Sequence, residues 1–429
     1  MITYYQTQMA VKAQKQVKKV NKKVDSNKFV NQAEKKGGIN APTNYYRHFD
    51  MKRFWIIFGV TAGIFVLLLI LSSTVDFQVS WGLAESKFAG MYAEGGTVHY
   101  YSTNGWDNLV ESFGESLGFL VCTFGLWLMA FPFFFVDKNK KVWYRLTSQI
   151  IIPTFLIFTA VYVMYYYNNI LGLHSYLKTV GGNTKDEVNR WASALFSIIF
   201  NLVIFGFIFM FKRTTRISLA KLGFLMVMAF IFSEIFVWIL KYQADLNRER
   251  FRAIMCDPDC WVNGVVDKAK AESYFHWWWE KTPISVKEAW EAAVPSLAKQ
   301  SGNAFSSFPS GHSSLAACTL TLCFLPCCCE KAGNKQWKGY FIWLLTLGVT
   351  LTVMFSRVSA GAHWLSDTTI GFFFGSVPSL ILGLIIFKLP KVSDYFQNMN
   401  INGKWFQFVI FPVILPVVVW LITNVLPWA

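Results

Sequence analysis

Nine stretches of this chain are longer and more apolar than a water-soluble core tolerates, at about 54–73, 115–136, 149–167, 193–211, 220–240, 313–329, 339–355, 367–387 and 405–425. In hydrocarbon every backbone N–H and C=O must find its partner within the chain. Runs of about 18 or more apolar residues therefore fold as membrane-spanning helices. The composition agrees, with 54% hydrophobic and only 15% charged residues. The expected fold class is all-α: a polytopic membrane protein of about nine transmembrane helices. The first run lies behind a long basic tail and is followed by no small-residue cleavage site, so it reads as a retained anchor rather than a signal peptide.

Charge then gives the orientation. The net charge is +15, and 12 of the 40 Lys and Arg residues precede position 54. Short cytoplasmic loops collect Lys and Arg. With the N-terminus in the cytoplasm, the inside segments include DKNKKVWYR (137–145), KRTTRISLAK (212–221), EKAGNKQWK (330–338) and a last one holding Lys388, Lys391 and Lys404. The first outside segment, 74–114, sets Lys87 against Asp76, Glu85, Glu94, Asp107 and Glu111. The same threading puts 241–312, 356–366 and the C-terminus outside. Topology, with attraction of the tail to anionic lipid heads, accounts for the basic balance, and no nucleic-acid partner is expected. Residues 1–50, rich in Gln, Asn and Lys, read as a largely disordered cytoplasmic tail.

Cys122, Cys318 and Cys323 fall within spans, and CCC (327–329) ends the sixth at the cytoplasmic side, where small apolar filling is favoured over acylation. Cys256 and Cys260, in CDPDC, lie outside, where a short disulfide is allowed. The 241–312 segment also carries YFHWWWE (274–280), which reads as an interfacial aromatic belt with His276 an interface residue.

Costly polar residues gather at the outward ends of four spans. Lys241, Arg248, Arg250 and Arg252 follow the fifth, FPSGHSS opens the sixth, Ser356 and Arg357 end the seventh, and His363 and Asp367 open the eighth. Lys241, Arg248 and Arg357 supply about three positive charges, a match for a phosphate or pyrophosphate; Arg grips phosphate oxygens with paired N–H donors and Lys acts as a point charge. Ser310 and Gly311 precede a helix start, where free N–H groups favour anions. His363 and Asp367, four apart, share a helix face. A carboxylate on one imidazole nitrogen would leave the other free to attack, while His312 from another helix donates a proton. Taken singly, each has a plainer reading: Ser310 and Ser313 as N-caps, His363 and Asp367 as a surface pair, Lys241 and Arg357 as snorkelling residues. Their meeting on one face favours the joint reading.

PSGH (309–312) followed by SRVSAGAHWLSD (356–367) resembles the second and third motifs of the type 2 phosphatidic acid phosphatase superfamily at every fixed position. The first motif, K, six residues, R-P, is met by Lys241 and Arg248, with Glu249 in place of the proline. The resemblance implies a six-helix phosphatase core over spans three to eight, within 149–390, with an extracytoplasmic loop at 241–312. Two additional transmembrane helices within 51–148 and one within 391–429 lie outside it. It further implies a phosphohistidine on His363 oriented by Asp367, with His312 protonating the leaving group. Lys241, Arg248, Ser310, Gly311 and Arg357 would hold the phosphoryl group, and no metal or other cofactor is needed.

The expected partner is a phosphorylated lipid of the bilayer, such as a phosphatidic acid, a polyprenyl diphosphate or a sphingoid phosphate. The expected setting is a cell membrane crossed several times, with the site extracytoplasmic. A phosphotransferase using the same intermediate and a non-catalytic phospholipid sensor are the alternatives. A transporter would hold its ionisable residues nearer mid-bilayer.

Overall fold

A computed structural model describes residues 51–88, 116–130, 150–170, 213–243, 265–275, 307–328 and 337–388, with short pieces and single positions between them. The elements are helices α1 (Met51–Thr74), α2 (Asp76–Phe88), α3 (Ser116–Ala130), α4 (Ile152–Ile170) and α5 (Arg213–Trp238), the last running into a π-turn at Ile239–Gln243. Strands β1 (Trp261–Val262) and β2 (Val265–Val266) form a two-residue antiparallel pair, followed by α6 (Lys268–Ser273). Helix α7 (Gly311–Ala317) continues as a 3-10 helix over Cys318–Cys328, and α8 (Trp337–Ser359) and α9 (Leu365–Lys388) complete the described chain.

The architecture is helical, as the apolar runs require. Five helices among the described residues are long and apolar enough to cross a membrane: α1, α5, α7 with its extension, α8 and α9. The runs expected near 115–136 and 149–167 appear as the shorter apolar helices Ser116–Ala130 and Ile152–Met164. The eighth-to-ninth connection and the ninth run lie outside the described residues.

Helix α3, assigned in the sequence reading to the additional N-terminal spans, is buried over Ser116, Gly118 and most of Val121–Ala130, and lies against α5, α4 and α7. A helix apolar on every side is one that other helices enclose, and Leu128, Met129 and Ala130 are fully buried. Its one polar ring atom is satisfied inside, Trp127 Nε1 donating to Asn201 Oδ1 at 2.6 Å. By contrast α1 leaves Val66, Leu67 and Ile70 exposed, as a lipid-facing helix would. Its first turn is still tied in: Arg53 is buried and donates through Nη2 to Cys327 Sγ at 3.3 Å. Cys327 and Cys328 are buried, which fits small apolar filling at that helix end.

A second, smaller apolar cluster sits at the other end of α1. There Phe77, Trp81 and Ala84 of α2 pack with Ile254, Ala271 of α6 and Trp364. Phe275 joins them, its ring 4.8 Å from that of Trp364 and 5.7 Å from that of Phe77. Part of the aromatic segment expected at the lipid interface is thus turned inward onto Trp364. Trp277 and Trp279 stack on each other, with Trp279 half exposed.

Candidate active site

The site is assembled where α8 ends and α9 begins. Helix α8 stops because Gly361 adopts φ 62°, the left-handed conformation that ends a helix and that glycine accepts without a Cβ clash. The turn is closed by Ala360 N donating to Ser356 O (2.9 Å), Gly361 N to Val358 O (2.9 Å), and both Ala362 N (3.1 Å) and His363 N (3.2 Å) to Arg357 O. Arg357 and His363, six apart in sequence, are therefore fixed to one another through the backbone. Arg357 is 1% exposed and His363 1% exposed.

Across this turn lies an extended strap, Ser307–Ser310, buried at all four residues, with a cis Phe308–Pro309 peptide. It is pinned to the start of α9 at three points. Ser310 N donates to Asp367 O at 2.9 Å, Ser307 Oγ donates to Asp367 Oδ2, and Ser307 O lies 2.7 Å from His363 Nδ1. A carbonyl only accepts, so Nδ1 carries the proton and the ring's lone pair is on Nε2.

This corrects one detail of the sequence reading. Asp367 Oδ2 is 3.7 Å from His363 Nδ1, within ion-pair range but beyond a hydrogen bond. The carboxylate instead accepts from Ser307 Oγ and from Trp364 N at 2.9 Å. Asp367 acts on His363 by charge and by holding the strap, while the Ser307 carbonyl sets the tautomer. The i,i+4 spacing foresaw the neighbourhood but not the hydrogen-bond acceptor.

PSGH reaches α9 because two glycines let the backbones touch. A Cβ on Gly371 would sit 2.3 Å from Ser310 O, and one on Gly375 2.0 Å from Ser314 O. Small residues four apart are how membrane helices approach closely. Ser310 is the N-cap of α7, its Oγ accepting from Ser313 N (3.4 Å) and Ser313 Oγ (3.1 Å). Both are bonds it accepts, so the Ser310 hydroxyl retains its own proton to donate. Ser314 Oγ meets Ser233 Oγ of α5, fastening the α7 start to the helix that leads to Lys241.

The remaining expected residues are placed as follows. Lys241 lies in the π-turn that ends α5 and is half-buried. Gly311, buried, and His312, half-buried, open α7. Arg248, Glu249, Cys256, Cys260 and His276 lie outside the described residues.

Two contributors were not singled out from sequence. Ser307 stands two residues before the PSGH motif, and only its contact with His363 marks it. Asp76 of α2 was counted there merely as a charge in an outside segment. It is fully buried, and it accepts from Ser366 N (3.1 Å, Oδ1) and Ser366 Oγ (2.5 Å, Oδ2). Ser80 Oγ accepts from Leu365 N at 3.3 Å. With Trp364 N on Asp367, these bonds give acceptors to the N–H groups of Trp364, Leu365 and Ser366 at the start of α9, where no preceding turn can supply them. Among the described residues no group of three or more His, Cys, Asp or Glu side chains is gathered as a metal site would need.

Residues 271–390 match the sequence model of the PAP2 superfamily. The match takes in PSGH and the SR…H…D turn and begins after Lys241 and Arg248. It agrees with the family that the motifs resemble and supports a phosphatase acting on phosphate esters. No curated protein and no solved structure matches the chain.

Proposed function

We propose that this protein is a membrane lipid phosphatase, hydrolysing a phosphate monoester or pyrophosphate of a lipid at the extracytoplasmic face, through a phosphohistidine and without a metal. The observation that carries the reading is the 2.7 Å contact between His363 Nδ1 and the Ser307 carbonyl, which puts the ring's lone pair on Nε2 and fixes the direction of the ring.

In the first step the Nε2 lone pair attacks phosphorus. The P–O bond to the lipid breaks, and His312 gives its proton to the departing oxygen. In the second step water attacks the phosphohistidine, the P–N bond breaks back to His363, His312 takes a proton from the water, and inorganic phosphate leaves. The ring becomes cationic when Nε2 is phosphorylated with Nδ1–H in place, and the Asp367 carboxylate 3.7 Å away favours that charge. Arg357, buried beside the turn, and Lys241, Arg248, Ser310 and Gly311 hold the phosphoryl oxygens by charge, by the Ser310 proton and by the Gly311 N–H.

The test is phosphate release by purified protein in detergent with EDTA, from phosphatidic acid, a polyprenyl diphosphate and a sphingoid phosphate, comparing wild type with His363→Ala. EDTA-resistant release that is lost in the variant is expected. Release that survives the variant would refute a nucleophilic His363, and release abolished by EDTA would refute the metal-free step. Phosphate passed to an added lipid alcohol instead of water would make the protein a phosphotransferase.

A further inference from the structure

An apolar groove of about 600 Å³ runs along α8, lined by Gly114, Leu117, Leu344, Gly348, Thr352 and Val353 among others. One end adjoins the site: a Cβ on Gly114 would lie 3.0 Å from Val353 Cγ1 and 3.4 Å from His312 Cδ2. Val353 is one helical turn from Arg357. From there to Leu344 the groove follows α8 for about 13 Å, at about 1.5 Å per residue, away from the phosphate-binding end. Leu344 and Leu345 at the far end are exposed.

We infer that this groove takes the hydrocarbon chain of the leaving alcohol of the substrate. The inference rests on the phosphatase reading above. His312 protonates the leaving oxygen, so the group attached to that oxygen starts at His312, and the groove is an apolar path that begins there. It serves a single chain lying along α8, with the phosphate held at the turn above.

Gly348 gives a clean test, because a Cβ there meets nothing within 4 Å and a larger side chain enters the groove rather than the core. The full-length protein is assayed on phenyl phosphate and on alkyl phosphates of increasing chain length. Wild type should show kcat/KM rising with chain length. Gly348→Phe should lower the ratio of kcat/KM for the longest chain to that for phenyl phosphate about tenfold, with a thermal melt at the wild-type midpoint reporting that the variant is folded. Gly348→Leu should fall between. Gly63→Phe, on α1 where a Cβ also meets nothing within 4 Å, should change neither. A Gly348→Phe enzyme with the wild-type chain-length slope overturns the groove assignment and leaves the phosphatase reading standing. Wild type inactive on every phosphate overturns the reading beneath it.

A separate observation carries a second inference. We propose that Asp76 is a positioning residue, holding the turn that presents His363 and Asp367 although it lies outside the family-matched segment. Its carboxylate takes both donors of Ser366, next to Asp367, while Phe77 and Trp81 of the same helix pack on Trp364, next to His363. Asp76→Ala should lower kcat about tenfold or more, since small misplacements at a reacting centre are costly, with KM near wild type. Asp76→Asn keeps an acceptor for Ser366 N and should recover most of the loss. A purely scaffolding role would lower thermal stability while leaving kcat per folded molecule unchanged in Asp76→Ala, and that result would overturn the proposal.

Discussion

The first turn of α9 is held from two sides, by the Ser307–Ser310 strap and by helix α2, and the two holds differ in kind. The strap touches the two side chains proposed to react: its Ser307 carbonyl meets His363 and its Ser307 hydroxyl meets Asp367. Helix α2 meets the residues between them, through Asp76 on Ser366, Ser80 on Leu365 and Phe77 on Trp364. The strap lies within the segment matched to the PAP2 superfamily, close to its PSGH motif, whereas Asp76 stands 290 residues from Ser366. Chemistry and its support are therefore separable in this chain. The motif segment holds the groups proposed to react and the carbonyl on His363 Nδ1, and a helix foreign to the motif braces the turn between them.

That contrast can be broken in graded steps. His363→Ala should lower phosphate release about 10⁴-fold or more, as loss of a nucleophile does, with no change in fold by thermal denaturation. Asp367→Asn should cost about 10²- to 10³-fold in kcat, because both the charge facing His363 and the acceptor for Ser307 are weakened; steady-state kinetics in detergent would show it. Gly371→Leu forces a side chain into the Ser310 carbonyl and should destabilise the protein by about 1–3 kcal/mol, read as a lowered midpoint in a thermal or denaturant melt, with activity falling alongside. Ser307→Ala removes the hydroxyl yet keeps the carbonyl on His363, and should lower kcat only about tenfold, consistent with loss of one hydrogen bond to a charged group. A Ser307→Ala loss as large as that of Asp367→Asn would mean that the strap hydroxyl, rather than the carboxylate charge, dominates the hold on His363.

Several of these features were legible in residue order. The apolar runs required helices, because hydrocarbon leaves the backbone no other partner. The i,i+4 spacing of His363 and Asp367 placed them together, and their helix end does bring the two side chains within 3.7 Å. Gly361 was not singled out in residue order; the structure shows its positive φ, which glycine is suited for, ending α8.

Other features were decided only by tertiary packing. Periodicity cannot tell that an apolar helix such as α3 is enclosed by neighbours rather than lipid, since both surroundings accept the same side chains; contact with α5, α4 and α7 made that choice. Nor can a motif reveal that the partner of His363 Nδ1 is a main-chain carbonyl, because every residue has one and only the path of the chain selects Ser307. Asp76 in an outside segment looks like any solvated acid. It became a buried cap because α2 folds back onto Trp364 and the unsatisfied amides at the start of α9 needed an acceptor there. Local chemistry was written in the sequence, and the choice of partner across long separations belonged to the fold.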